Sequence, residues 1–249
     1  MNRLRIEWTQ EQINNYYLGI KYSDYPSVFW EKIQPQISGF TSFIDIGCGP
    51  GAFAIKASEA GLDVQAVDLN KKHLKALKIY IDKFNLKEVK IINGEWPDVD
   101  IRRSDVSVCG YSLGGKIGTI SGIEKILNNT NKLAFFIVPH DNEQTDFMSK
   151  DLYKQLKIQP PQFGGSYIDT LEIFDKLNEN VTFEIIENDF GMPINNKNDI
   201  IKFTEYLCDK LGIPDIELMK DNIEENIIVR NGLLWIPNLR KSAMITWKR

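Results

Sequence analysis

The chain has 249 residues, a formal net charge of −4, and 43% hydrophobic and 26% charged side chains. This composition is typical of globular proteins and excludes disordered, collagen-like and coiled-coil chains, and the length suffices for a full hydrophobic core. The small acidic excess gives no general attraction to nucleic acid or to an anionic membrane.

Metals and disulfides are not expected to stabilise this protein. The 3 cysteines are scattered, only 2 histidines are present, and no cysteine–histidine cluster has the spacing of metal ligands. The N-terminus shows no apolar signal region, and no apolar run is long enough to span a membrane. We therefore expect a cytoplasmic protein without a metal site, organised as a single domain over residues 1–249.

Residues 1–40 are predicted to form a helical N-terminal extension, with a second helix starting near Pro26. This extension carries Tyr16, Tyr17 and Tyr22, which suit either internal packing or a lid over a bound ligand. Aromatic residues at helical spacing are more often packing residues, so packing is the preferred interpretation.

An alternation of strands and helices follows. Short apolar runs predict strands, and periodic apolar residues predict helices between them. The predicted strands are 43–46, 63–67, 89–92, 104–109 and 132–138, and the predicted helices are 52–60, 71–84 and 122–128. Such an alternation predicts an α/β fold with a parallel sheet and helices on both faces.

The remainder of the chain is less regular, and residues 141–168 and 190–232 are interpreted as insertions. Between and after them, the pattern predicts helices at 169–177 and 197–211 and strands at 181–187, 233–236 and 242–247. The last two strands, joined by a turn that contains Pro and Asn, are typical of an antiparallel pair that ends an otherwise parallel sheet.

The segment 43–53 carries the chemistry, because an apolar strand leads there into Gly47, Gly49 and Gly51 and then into a helix. Glycines let a ligand approach the backbone, and the helix N-terminus offers free N–H groups. Asp68 ends the next strand, where a carboxylate can accept hydrogen bonds from both hydroxyls of a ribose. Parallel sheets bind ligands beyond the carboxyl ends of their strands, so both features predict one nucleoside site.

The glycine spacing alone also fits the dinucleotide fingerprint. Asp45, two residues before Gly47, favours a different ligand, because a carboxylate beside the turn would repel a pyrophosphate. It suits a ligand that carries an ammonium group and no phosphate, and S-adenosylmethionine is such a ligand.

The run 45–51, which reads DIGCGPG, together with Asp68 resembles the first two motifs of class I S-adenosylmethionine-dependent methyltransferases. The resemblance is best over residues 40–140. It implies a Rossmann-like, seven-stranded, mostly parallel sheet and a methyltransferase that uses S-adenosyl-L-methionine. A helix between the third and fourth strands, expected in this family, is short or missing here.

The resemblance also implies roles for individual residues. Asp45 orients the amino acid end of the cofactor, Asp68 binds its ribose, and Glu95 and Trp96 frame its adenine, although Glu95 is equally interpretable as an ordinary loop acid. The other residues expected at the cofactor site are Gly47, Cys48, Gly49, Gly51, Leu69 and Cys109.

Three side chains after the fourth and fifth strands are candidates for removing a proton from the acceptor, namely Tyr111, His140 and Asp141. A lone histidine is more often a structural or surface residue. Tyr111 does not lie in the Asn/Asp-Pro-Pro-Tyr motif of family members that methylate bases or glutamine, which argues against those acceptors.

The sequence therefore predicts a methyltransferase, and a small-molecule acceptor is favoured because the chain is acidic and its insertions suit a cap over a pocket. A protein or RNA acceptor is the second interpretation. Two other classes remain as alternatives, a non-catalytic methyltransferase-like partner subunit and an NAD-dependent oxidoreductase. Asp45 and the lack of an evident proton-relay pair argue against the oxidoreductase.

Overall fold

A seven-stranded sheet lies at the centre of the computed structural model, which describes residues 10–87, 89–143, 145–162, 164–194 and 197–249. The first nine residues of the predicted N-terminal extension lie outside the described residues. The strands are β1 (Ser42–Ile46), β2 (Asp63–Asp68), β3 (Val89–Asn93), β4 (Ser104–Gly110), β5 (Thr130–Pro139), β6 (Val181–Asp189), β7 (Met192–Ile194), β8 (Ile228–Arg230), β9 (Leu233–Ile236) and β10 (Leu239–Lys248).

The helices alternate with these strands as the apolar periodicity predicted, and two of them, α6 and α9, had no predicted counterpart. They are α1 (Gln10–Tyr22), α2 (Ser27–Gln36), α3 (Ala52–Glu59), α4 (Lys71–Phe84), α5 (Ile120–Asn128), α6 (Lys150–Leu156), α7 (Tyr167–Lys176), α8 (Lys197–Leu211) and α9 (Ile216–Asn226). Residues 94–103, between β3 and β4, form turns and no helix.

The strand order in the main sheet is β3-β2-β1-β4-β5-β10-β6. Strands β1 to β5 run parallel to one another, whereas β10 runs antiparallel to both β5 and β6. The mostly parallel sheet with helices on both faces and an antiparallel pair from the C-terminal part of the chain is thereby confirmed.

The predicted pairing of the last two strands across the turn at 237–238 is wrong, because β10 pairs with β5 and β6 and not with β9. Strand β9 belongs to a separate three-stranded sheet of order β7-β9-β8. Its Ile236 is fully buried in a different hydrophobic cluster, and the backbone N–H of Asn238 is held at 2.7 Å by the carboxylate of Asp189. The chain therefore changes sheets at this turn and does not form a hairpin within the main sheet.

Each face of the main sheet is covered by its own helices. One face packs against the four N-terminal helices, α1 to α4, with Phe29, Phe53 and Leu77 fully buried there. We call it the N-terminal face. The opposite face packs against α5 and α7 through Ile123 and Phe174. Burial on both faces explains why β1 and β5 read as nearly continuous apolar runs.

The two segments interpreted as insertions pack together. One apolar cluster joins them. It contains residues of α6 from the first segment, and residues of α8, α9 and the three-stranded sheet, which come from the second segment and the residues beside it. We call this unit the cap layer. It contacts α1 through β7, which places it beside the edge of the sheet where the parallel strands end. Among the described residues, no helix combines the length and the apolar character needed to cross a membrane.

Candidate functional site

The glycine turn after β1 has the backbone shape that its sequence predicts. Gly47, Gly49 and Gly51 have φ angles of +67°, +54° and +96°, a region that residues with a Cβ rarely adopt. A Cβ at Gly47 would lie 2.4 Å from the Cβ of Ser112, so the turn packs tightly on the end of β4. A Cβ at Gly49 would meet no atom within 4 Å, so this glycine leaves open space at the position where a ligand would approach.

Asp68, at the end of β2, contacts this turn directly. Its Oδ2 accepts a hydrogen bond from the N–H of Gly49 at 2.8 Å, and its Oδ1 accepts one from the N–H of Asn70 at 2.7 Å. The His73 ring lies 3.6 Å from the same carboxylate. Each carboxylate oxygen has two acceptor sites, so Asp68 can hold both backbone groups and still accept hydrogen bonds from a diol.

Asp45 is a buried carboxylate beneath the turn, 2% exposed. Its Oδ2 accepts a hydrogen bond from the N–H of Ala54, in the first turn of α3, at 2.9 Å. Its pKa is raised to about 7, mainly by burial and also by the negative charge of Asp68, while the hydrogen bond from the Ala54 N–H acts in the opposite direction. Ionising Asp45 beside the charge of Asp68 is therefore costly unless a cation lies nearby.

Two tyrosines of α1 contact the same turn from above. The Tyr17 hydroxyl donates a hydrogen bond to the carbonyl of Pro50 at 3.0 Å, and its ring stacks on Tyr80 of α4. The Tyr16 hydroxyl accepts a hydrogen bond from the Ala52 N–H, and burial together with the charge of Asp45 raises its pKa well above the usual value. Both interpretations of these tyrosines therefore have support, because they pack in the core and also cover the turn.

The residues assigned to the adenine differ in their surroundings. Glu95 is exposed and forms an ion pair at 2.9 Å with Lys116, on the loop after β4. Trp96 is buried, and its indole N–H donates to the carbonyl of Gly122 at 2.9 Å, so its one polar group is used inside the protein. Leu69, after Asp68, is 47% exposed and free to pack against a ligand.

The two cysteines at the site are buried thiols. Burial raises the pKa of Cys48 well above its usual value and raises that of Cys109 to about 12. The Cys109 Sγ lies 3.0 Å from the Oγ of Ser112, which donates to the carbonyl of Ile46 at 2.7 Å. Neither thiol has the thiolate character of a nucleophile, and both support the shape of the turn.

Tyr111 follows β4 and joins a cluster that the sequence did not indicate. Its hydroxyl lies 2.5 Å from the Oγ of Ser242 and 3.4 Å from the Oδ1 of Asn188. The guanidinium of Arg240 lies over its ring, 5.4 Å from the centroid. Arg240, Ser242 and Asn188 lie on two late strands without a motif, so only the strand order brings them to Tyr111.

The other two acid–base candidates lie on the opposite face of the sheet. The His140 Nδ1 lies at hydrogen-bond distance, 2.8 Å, from the Oδ1 of Asp141, and the His140 ring stacks on Tyr167 of α7, with 5.0 Å between the centroids. The structure therefore pairs His140 with Asp141 but does not bring them together with the Tyr111 hydroxyl. Among the described residues, no group of three or more side chains forms a candidate metal site.

Comparison with known sequences gives limited information. No model of a protein family matches the chain. An uncharacterized protein of Haemophilus influenzae is 34% identical over 71 residues, which make up 28% of this chain. The match spans 26% of that protein, so this chain corresponds to about a quarter of the relative's length.

Solved structures are similar over nearly the whole chain. Magnesium protoporphyrin IX methyltransferase (ChlM) from Synechocystis PCC 6803, solved with bound SAH, matches with a TM-score of 0.53 and 10% identity over 96% of this chain and 88% of that chain. A putative methyltransferase (BH2331) from Bacillus halodurans C-125 matches with a TM-score of 0.54 and 13% identity over 88% and 97%. At such identities the likeness concerns the fold, and the strand order and the glycine turn agree with it. The chain therefore has the fold of the class I S-adenosylmethionine-dependent methyltransferases, as the run 45–51 and Asp68 predicted.

Proposed function

We propose that this protein transfers a methyl group from S-adenosylmethionine to a small-molecule acceptor. The observation that carries the proposal is the open space at Gly49, in a turn whose backbone is held by the carboxylate of Asp68 and lies over the buried carboxylate of Asp45. A phosphate would be repelled by this charge, whereas a ligand with an ammonium group, a sulfonium and a ribose fits it.

The residues of the turn would bind and orient the cofactor. Asp68 accepts hydrogen bonds from the ribose hydroxyls, and Asp45 compensates the positive charge of the amino acid end. Gly49 lets the ligand approach the backbone, and Leu69 and Glu95 border the adenine. When bound, S-adenosylmethionine supplies a methyl group on a positively charged sulfur. The acceptor atom would bond to this methyl carbon and displace the sulfur as the carbon–sulfur bond breaks.

The remaining contribution of the chain is alignment and exclusion of water. Tyr16 and Tyr17 cover the turn from α1, and Tyr25 packs between Phe53 and Tyr111 at the end of β4. These rings would form an apolar wall of the cofactor site. An acceptor that carries a proton would lose it to Tyr111, His140 or Asp141, or to water.

A small-molecule acceptor is supported by the cap layer, which lies beside the edge of the sheet where the parallel strands end. The name of the similar Synechocystis enzyme also describes a small-molecule methyltransferase. A protein or RNA acceptor would need broad access to the cofactor site, and Tyr17 of α1 covers the glycine turn at the Pro50 carbonyl.

A thermal-shift series with S-adenosylmethionine, S-adenosylhomocysteine, NAD and ATP tests the cofactor. A ligand at about 100 times its Kd adds about 2.7 kcal/mol to the free energy of unfolding. We expect a shift with S-adenosylhomocysteine and none with NAD. A shift with NAD alone would overturn the proposal in favour of an oxidoreductase, and no shift with any ligand would favour a non-catalytic subunit.

A further inference from the structure

The edge of the sheet that carries the glycine turn also carries a second polar cluster, which the cofactor site does not use. It consists of Tyr111 after β4, Asn188 on β6, and Arg240 and Ser242 on β10. Because β10 runs antiparallel to β5 and β6, its first residues lie at the edge where the other strands end. We call these four residues the edge cluster.

Tyr111 reaches this cluster through an unusual backbone conformation. Along β4, Val108 and Gly110 face the N-terminal side of the sheet and Cys109 the opposite side, so strand alternation would send Tyr111 to the opposite side. Its φ of +52° turns the ring back to the N-terminal face, against Tyr25. A left-handed conformation in a residue other than glycine is costly, and such residues concentrate at functional sites.

The edge cluster contains a buried hydrogen-bond donor without an acceptor. Asn188 is 3% exposed, and its Oδ1 lies 3.3 Å from the Oγ of Ser242 and 3.4 Å from the Oη of Tyr111. Its Nδ2 is buried and has no hydrogen-bond partner among the described residues. Buried polar groups are nearly always paired, so this donor is expected to meet an acceptor that a ligand supplies.

Arg240 gives the edge cluster a positive charge, and it shares its carboxylate partner with a second cation. The Nε and Nη2 of Arg240 both lie 3.2 Å from the Oδ1 of Asp146, and Lys210 lies 3.1 Å from its Oδ2. One carboxylate thus faces two cations. The Arg240 guanidinium lies between the rings of Tyr111 and Phe190, and 23% of its side chain is exposed, so a ligand can reach it.

We propose that the edge cluster binds an anionic oxygen group, a carboxylate or a phosphate, on the molecule that accepts the methyl group. Arg240 supplies the charge and Asn188 a second donor, while Tyr111 and Phe190 contact the carbon skeleton. Ser112, next to Tyr111, bonds to Ile46 just before the glycine turn, so the anion would lie close to the cofactor. The assignment of this ligand as the acceptor rests on the proposed function.

Calorimetric titrations of the protein saturated with S-adenosylhomocysteine test this inference. The probes are benzoate and phenyl phosphate, with benzamide and benzyl alcohol as their neutral analogues. We expect at least one anion to bind, and its neutral analogue to bind about tenfold more weakly or worse, since hydrogen bonds to charged groups are the stronger ones. Comparing the two anions distinguishes a carboxylate from a phosphate.

Variants separate binding from folding. Arg240→Gln should weaken the anion about tenfold or more, and Lys210 still compensates Asp146 in that variant. Lys241→Gln is the matched control, because it removes the same charge from an exposed residue on the other face of β10 and should leave anion affinity unchanged. Asn188→Leu should also weaken the anion, because it removes the unpaired donor; since it removes the acceptor of the Ser242 and Tyr111 hydroxyls as well, its affinity is compared after urea denaturation has shown that the variant is folded.

Several results would overturn the inference. They are binding of no probe, equal binding of anions and neutral analogues, or equal behaviour of the Arg240 and Lys241 variants. Failure of S-adenosylhomocysteine to bind, with anion binding that still depends on Arg240, would refute the cofactor and leave the anion site. Normal binding of S-adenosylhomocysteine without anion binding would refute the anion site and leave the proposed cofactor.

Discussion

The carboxylate of Asp68 holds the backbone N–H of Gly49 at 2.8 Å, so the end of β2 fixes the glycine turn that follows β1. The residue expected to bind a ribose therefore also shapes the loop beside it. Ligand affinity and local stability are coupled at this position, and variants must be chosen to separate them.

Asp68→Asn should affect both properties. The amide keeps one acceptor oxygen and turns an NH₂ group towards a backbone N–H, so the free energy of unfolding should fall by about 1–2 kcal/mol. Affinity for S-adenosylhomocysteine should fall at least ~10-fold, because a charged acceptor is lost. Asp105→Asn is the control, since Asp105 accepts from the Thr41 and Ser42 N–H groups near the start of β1. It should lose stability alone, as urea denaturation and calorimetry would show; equal loss of affinity in both variants would contradict the role of Asp68.

Gly49→Ala tests the open space at the turn. Its Cβ meets no protein atom but occupies the position where a ligand would approach, and its positive φ costs an alanine about 1–2 kcal/mol. Gly61→Ala provides the same backbone strain in equally open surroundings at the end of α3, with φ +82°. We expect similar melting temperatures for both variants and loss of the S-adenosylhomocysteine shift only in Gly49→Ala. A retained shift in Gly49→Ala would place the ligand elsewhere.

Asp45 should make stability depend on pH. Its pKa is raised from 3.8 to about 7 in the folded protein, so folding favours the protonated form. The stabilisation that the protonated Asp45 adds to the free energy of unfolding totals about 4 kcal/mol. It is fully present below about pH 4, decreases as the pH rises, and is lost above about pH 7. Asp45→Asn does not ionise, so urea denaturation should find it more stable than the wild type at about pH 8 and equal near pH 4. The same difference at both pH values would contradict an ionising Asp45.

Asp189→Asn should weaken the attachment of the cap layer. The buried Asp189 accepts from Arg230 at 2.5 Å, from the Trp235 indole at 3.3 Å and from the Asn238 N–H at 2.7 Å. Loss of its charge should cost about 2–4 kcal/mol, because Arg230 loses a buried partner. Glu184→Gln breaks the exposed pair with Lys32 and should cost less than about 1 kcal/mol. Equal destabilisation of both variants in thermal unfolding would show that burial does not decide the cost.

The geometry of the glycine turn and its carboxylates was predictable because its signals are local. Glycines in a turn, Asp45 two residues before them and Asp68 at the end of the next strand occupy fixed positions relative to predicted elements. Trp96 shows the limit of this reasoning, because its burial against Gly122 depends on a helix that follows 24 residues later.

The edge cluster, by contrast, depends on long-range topology. Arg240 and Asn188 meet Tyr111 only because β10 inserts between β5 and β6, and no local pattern announces that order. If side chains simply alternated between the two faces of the sheet, Tyr111 would lie on the same face as His140. The positive φ of Tyr111 reverses that expectation, and side-chain patterns do not reveal it.

The cap layer has a consequence for the motions of the protein. Phe147 and Leu152 from one part of the chain share a single core with Leu207 and Met219 from a later part, and the Tyr153 hydroxyl donates to the carbonyl of Leu211 at 2.7 Å. Neither part can bury its apolar side chains alone, so local opening should expose both together. Amide hydrogens of α6, α8 and α9 should therefore exchange with one common opening free energy, and entry to the edge of the sheet would be controlled by a single cooperative event.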